Sequence, residues 1–126
     1  MVLTMLVGLG LTCPVFAFDE GKCTEDIGTA FNGQMGGRFC VSKIVMQNWF
    51  TAFSWCKAIG GHLATRDEAC NDQISSCSNI KGSGRGGEAW TATPKDKTSA
   101  RLIDLSSGAV NNDGIRTNNS RYALCK

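Results

Sequence analysis

Asn48-Trp49-Phe50-Thr51-Ala52-Phe53-Ser54-Trp55-Cys56-Lys57-Ala58-Ile59-Gly60-Gly61-His62-Leu63-Ala64-Thr65 is the stretch on which the fold turns. Trp49, Ala52, Phe53, Cys56 and Ile59 recur at helical spacing on one face, and Asn48 is a favourable residue just before the first turn. Gly60-Gly61 stops this helix, and the apolar pair Leu63-Ala64 follows. The buried face carries a cysteine, where a distant sulfur can staple the helix to another part of the chain. Thr65-Arg66-Asp67-Glu68 then has the Thr-x-x-Glu form of a capping box, which starts a second helix running to about Ile74 and carrying Cys70.

The chain has 126 residues, a length that suits one domain. Residues 1–17 read as a secretory signal peptide: an apolar stretch from Val2 to Leu11, then Pro14, then Val15-Phe16-Ala17 as a small-residue cleavage site. No Lys or Arg precedes the apolar stretch. A membrane anchor needs about 20 apolar residues, and this stretch is shorter and interrupted by Thr12, Cys13 and Pro14. Cleavage after Ala17 removes Cys13 and leaves Cys23, Cys40, Cys56, Cys70, Cys77 and Cys125. An even number of cysteines in a short exported chain reads as a disulfide framework, for which six cysteines allow 15 pairings. A zinc site is disfavoured, since no Cys-x-x-Cys pair exists and His62, the one histidine, is far from any cysteine pair. A net charge of +2 gives no argument for nucleic acid or an anionic membrane.

Along the rest of the chain, residues 18–38 form a polar, Gly-punctuated lead-in segment or loose hairpin. Arg38 to Val45 alternates as a short strand. The Gly-rich run from Asn79 to Gly87 reads as a flexible loop without a phosphate-binding arrangement. Strands are expected at Ala89–Thr93, Ala100–Leu105, around Ala109–Asn111 and at Tyr122–Cys125, with the Asn-rich stretch from Asn111 to Ser120 as a loop.

This arrangement resembles the C-type lectin-like fold over residues 39–126. The matching pieces are Met46-Gln47-Asn48-Trp49 entering a helix, Ala52 and Trp55-Cys56 within it, Gly60 to Thr65 leading to the second helix, Trp90-Thr91-Ala92, and Tyr122-Ala123-Leu124-Cys125. The segment Leu105 to Asn111 is similar to short secreted bacterial members and retroelement-diversified receptors of that superfamily. The resemblance implies an α+β fold with two helices, a small antiparallel sheet, long loops and three disulfides. It also implies a long bridge between Cys56 and Cys125, with Cys23–Cys40 and Cys70–Cys77 as the other two. Sugar-binding members hold calcium through a Glu-Pro-Asn or Gln-Pro-Asp tripeptide and a Trp-Asn-Asp strand. Pro14 and Pro94 stand in no such tripeptide, and Asn111-Asn112-Asp113 supplies too few of the six to eight oxygens that calcium takes.

The expected function is therefore a secreted, cell-surface or periplasmic ligand-binding or adhesion module that needs no calcium, metal or cofactor and carries out no catalysis. Its partner is an extracellular protein or a glycan, not nucleic acid, and no membrane insertion is expected once the signal is removed. Lys95, Asn111, Asn112, Asp113, Arg116, Asn118 and Asn119 are the candidate contacts, because Asn and Arg offer adaptable hydrogen bonds on a rigid scaffold. The alternatives are a calcium-dependent carbohydrate-binding lectin using Asn112 and Asp113, a thiol enzyme of the formylglycine-generating type, and a structural subunit of a surface appendage. Neither Glu25-Asp26 nor Asp67-Glu68 is a catalytic pair, since neighbours on a helix point about 100° apart. His62 reads as a side chain held at the turn between helices. Trp49 and Trp55 read as core, while Trp90 divides between core and binding rim.

Overall fold

The computed structural model describes residues 17–71, 77–115 and 119–126, with only the backbone of residues 111–115. The fold is α+β. Strands β1 (Gly28–Asn32) and β2 (Arg38–Ser42) precede helices α1 (Trp49–Ala58) and α2 (Arg66–Cys70). Strands β3 (Glu88–Pro94), β4 (Ser99–Asp104), β5 (Val110–Ile115) and β6 (Tyr122–Cys125) follow. The six strands form one sheet in the order β1-β2-β6-β3-β4-β5. An antiparallel sheet was expected, but β3 and β6 pair in parallel, with Ala89 opposite Tyr122 and Trp90 opposite Ala123. The reason is topological. β6 enters beside the end of β2, where Met46 bridges Arg121, so it must run antiparallel to β2. That direction is the one β3 takes after α2.

Strand alternation assigns the core to both faces of the sheet. Cys40, Trp90, Leu102, Ala123 and Cys125 pack on one face with Ala52, Cys56 and Ile59 of α1. Phe39, Val41, Ala89, Ile103 and Leu124 pack on the other with Ala69, Cys70, Cys77 and Ile80. Trp90 is fully buried, which places it in the core. Trp49 and Trp55 pack against the first cluster but stay half-buried at the margin of α1. One helix cannot cover a six-stranded sheet, and its flanking aromatics stay at the edge. The Trp49 indole N–H is satisfied there by the Thr91 carbonyl at 2.9 Å.

The helix signals read from the sequence are present in atomic detail. Asn48 Oδ1 accepts the Thr51 N–H, and Ile59 and Gly60 (φ +88°) end α1. Thr65 and Glu68 form both bonds of the capping box. α2 ends at Cys70, where Asn71 takes the left-handed conformation (φ 52°); the expected end near Ile74 lies outside the described residues. Residues 78–83 form a 3-10 helix with Asn79, Ile80 and Ser83 buried, where a flexible loop was expected. Burial of Ile80 against the second core cluster holds this segment, a tertiary effect that its glycines conceal.

All six cysteines between residues 17 and 126 are paired, as Cys23–Cys40, Cys56–Cys125 and Cys70–Cys77. Such a set belongs with an oxidising environment. The proposed signal peptide lies almost wholly outside the described residues.

Candidate functional site: a polar sheet edge and an apolar cavity

The structure separates the expected contact residues into two groups. Lys95 lies exposed in the turn between β3 and β4. Its N–H donates to the Ser99 carbonyl at 2.9 Å. Asp96 fixes this turn, its Oδ1 accepting the N–H groups of Thr98 and Ser99 at 2.9 Å each. The Thr98 N–H above all holds the Asp96 carboxyl below its ordinary value of 3.8, against the opposing effect of desolvation and with help from the Ser99 N–H. The turn is therefore a rigid platform of charged groups rather than a loose loop.

Asn111, Asn112 and Asp113 were expected on a loop, but they lie on β5, the edge strand. Asn111 pairs with Leu102 and Asp113 with Arg101, so Asn112 is an extra residue in a bulge. The backbone ladder of β4 wins over the local turn preference of an Asn-rich sequence. Ile115 pairs with Ser99, the residue that also closes the Lys95 turn. Lys95 thus sits beside the far end of β5, while Asn111 lies about 13 Å back along the strand at the usual rise. Arg116 and Asn118 lie outside the described residues. Asn119 begins the return towards β6, next to Ser120, whose hydroxyl donates to the Gln47 carbonyl at 3.1 Å. Lys95 and the end of β5 are brought together, whereas Asn119 turns towards the loop between β2 and α1.

That loop lines a feature the sequence reading missed. A cavity of about 270 Å³ opens between the start of β1, the end of β2 and α1, lined by Asp26, Ile27, Lys43, Ile44, Met46 and Trp55. The Lys43 N–H bonds to the Ile27 carbonyl (2.8 Å) and so joins the two loops that form its wall. The Ser42 hydroxyl donates to the Ile44 carbonyl (2.7 Å) and accepts from the Ala123 N–H (2.9 Å), which seats the loop on β6. Asp26 and Lys43 stand on the rim. The Thr24 hydroxyl, bonded to Asp26, holds that carboxyl below its ordinary 3.8, with the Asp26 backbone N–H and the Lys43 charge adding to the effect. The signal was present in the consecutive apolar residues Ile44-Val45-Met46, of which Ile44 and Val45 read as the end of a strand and Met46 as the entry to the helix.

His62 is held as expected: Nε2 lies 2.9 Å from both oxygens of Glu68. Glu68 is also the capping-box acceptor for the Thr65 N–H at 2.9 Å. Burial raises the Glu68 carboxyl, but the Thr65 N–H, the His62 ring and the Lys126 charge outweigh it and leave it below its ordinary 4.5. A carboxyl lowered by folding adds stability that is complete above its unfolded value and is lost as the pH falls through the folded one. Stability should therefore decline from about pH 4.5 downwards. Glu68→Gln keeps an acceptor for the cap but not the charge. Urea midpoints at about pH 6 and about pH 3.5 should differ less for Glu68→Gln than for the parent chain.

Among the described residues, no cluster of three or more His, Cys, Asp or Glu is placed to hold a metal ion. No helix among them is long and apolar enough to cross a membrane. Comparison of the chain with family models, curated proteins and solved structures found no match.

Proposed function

We propose that this chain is an extracellular, non-catalytic recognition domain of C-type lectin-like architecture, which binds a protein or glycan without calcium. The observation that carries this reading is the placement of β6. The final strand lies in the middle of the sheet, between β2 and β3, and its Cys125 is bonded to Cys56 of α1. The chain's last strand thereby locks its first helix and first hairpin, leaving β3, β4 and β5 as successive antiparallel strands on a fixed base. Rigid scaffolds that present polar edges and turns are suited to recognition, because little ordering is required on binding. Lys95 and the backbone of the β5 edge, with Asn111, Asn112, Asp113 and Asn119 along or beyond it, form the contact surface in this reading.

The test is a screen of the oxidised chain against a glycan array and a panel of surface proteins, with thermal melting in calcium and in chelator. Binding that weakens several-fold in Lys95→Ala, with a melting temperature indifferent to calcium, supports the proposal. A calcium-dependent rise in melting temperature sinks the calcium-independent reading, since a ligand that binds only the folded state must stabilise it.

A further inference from the structure

We infer that the two bridges on the α1 side of the sheet form a thiol-responsive pair: a small thiol that attacks Cys23 passes the exchange through Cys40 to Cys125 and frees α1 at Cys56. This chemistry belongs to the covalent frame rather than to the polar edge, and it holds whether or not that edge binds anything. Two observations carry it.

The first is register. Cys40 on β2 stands directly opposite Cys125 on β6. Directly opposite residues of antiparallel strands point to the same face, with Cα atoms about 4.5–5.5 Å apart. That spacing lies within the range a disulfide spans. Each of the two cysteines is bonded elsewhere, Cys40 to Cys23 and Cys125 to Cys56, so two bridges meet side by side in one cluster. The third bridge, Cys70–Cys77, belongs to the cluster on the other face. Cys40–Cys125 is thus a further pairing that the folded backbone already accommodates.

The second is access. Cys40, Cys56 and Cys125 have no exposed surface, whereas Cys23 keeps 7%. Cys23 lines a cavity of about 420 Å³ with Glu25, Gly28, Thr29 and Ala30, a size that admits a small thiol. Gly28 forms the wall against the bridge: a Cβ there would lie 3.1 Å from Cys40 Sγ and 3.4 Å from Cys23 Sγ. At this position no side chain stands between the bridge and the cavity. A thiolate attacks the sulfur it can reach, which here is Cys23.

The steps balance without an oxidant. The incoming thiolate bonds to Cys23 Sγ, the Cys23–Cys40 bond breaks, and Cys40 leaves as the thiolate. Cys40 then bonds to Cys125 Sγ, the Cys56–Cys125 bond breaks, and Cys56 leaves with the electron pair and takes up a proton. Two disulfides are consumed and two are formed, one of them mixed between Cys23 and the incoming thiol. Facing strands hold Cys40 and Cys125 at an effective concentration far above that of a solution thiol. The product staples β2 to β6 and releases both α1 and the segment before β1 from their bridges.

The experiment treats the oxidised chain with 2-mercaptoethanol at about pH 8, where a useful fraction of thiol is ionised, and without denaturant. Samples are stopped in acid, alkylated with N-ethylmaleimide and mapped by peptide mass spectrometry. The expected products are mercaptoethanol on Cys23, a Cys40–Cys125 cross-link and alkylated Cys56. Cys23–Cys40 should open about tenfold or more faster than Cys70–Cys77. Alkylated Cys40 beside an intact Cys56–Cys125 bridge, first opening at either other bridge, or no exchange short of unfolding overturns the inference. In a second arm, Cys56→Ala leaves Cys125 without its partner. Alkylation of the folded variant should then label Cys23 and leave Cys40 joined to Cys125. Label on Cys125, or an intact Cys23–Cys40 bridge with no label until urea is added, overturns the inference as well. The first arm needs no substitution and decides alone if the variant does not fold.

Discussion

Replacing Cys56 and Cys125 together by alanine is expected to cost about 4 kcal/mol of stability, more than the loss of either other bridge. The physical basis is the loop each bridge closes in the unfolded chain. With sequence separations of 69 for Cys56–Cys125, 17 for Cys23–Cys40 and 7 for Cys70–Cys77, the chain-entropy relation gives about 4, about 3 and about 2.5 kcal/mol. The long bridge has a second role, because both of its sulfurs lie in the cluster between α1 and the sheet, with no exposed surface. Its removal detaches the only covalent tie between α1 and the central strand, so both elements lose the constraint that keeps them packed. Urea melts of the three double-alanine variants in oxidising buffer provide the measurement. A domain that loses no more on removing Cys56–Cys125 than on removing Cys70–Cys77 contradicts this account. Binding at the polar edge should change only in proportion to the fraction unfolded.

Asn79→Ala is the second large effect, expected at about 2–4 kcal/mol. Asn79 is fully buried, and its side-chain amide joins three separate backbone segments. Its Oδ1 accepts the Met35 N–H at 2.5 Å, and its Nδ2 donates to the carbonyls of Gly36 and Ala69 at 3.1 Å each. The turn between β1 and β2, the end of α2 and the 3-10 helix thus depend on one side chain. Alanine leaves a donor and two acceptors without this partner; the Ala69 carbonyl is buried and carries its desolvation cost, while the Met35 N–H and Gly36 carbonyl lie in a part-buried turn. Asn79→Asp should be worse near neutral pH and partly recover in acid, because the carboxylate accepts but cannot donate to two carbonyls. Chemical denaturation of both variants across pH distinguishes these outcomes. An Asn79→Ala chain within 0.5 kcal/mol of the parent, the ordinary range for a surface change, contradicts the assignment.

The elements that were legible share one property, that their signals are local. The Asn48 cap, the Gly60 stop, the Thr65–Glu68 capping box and the strand Tyr122–Cys125 depend on residues a few positions apart. The elements that read differently depend on distant partners. Asn111 to Ile115 is rich in loop residues and becomes strand because β4 lies beside it. Residues 78–83 carry the glycines of a loop and become a packed 3-10 helix because Ile80 and Asn79 have buried sites to fill. Trp55 shares the apolar character of the core residues on its helix and ends at a cavity margin, since the position of α1 across the sheet decides which flank is covered. The candidate site suffers most from this. Asp26, the adjacent pair Lys43-Ile44 and Trp55 come from three separate segments, and no pattern of spacing joins them before the chain folds.

By itself, the sequence determined helices at the Asn48 and Thr65 caps and an even set of six cysteines after residue 17. Cap chemistry, helical periodicity and the cysteine count act within the chain and require no partner surface. Only the tertiary structure decided that β6 lies in the middle of a mixed sheet, that the Asn-rich segment is an edge strand, and that an apolar cavity opens beside Trp55. Each of these follows from which surfaces meet across the sheet, where burial and backbone hydrogen bonding between distant segments outweigh the preferences of any single residue.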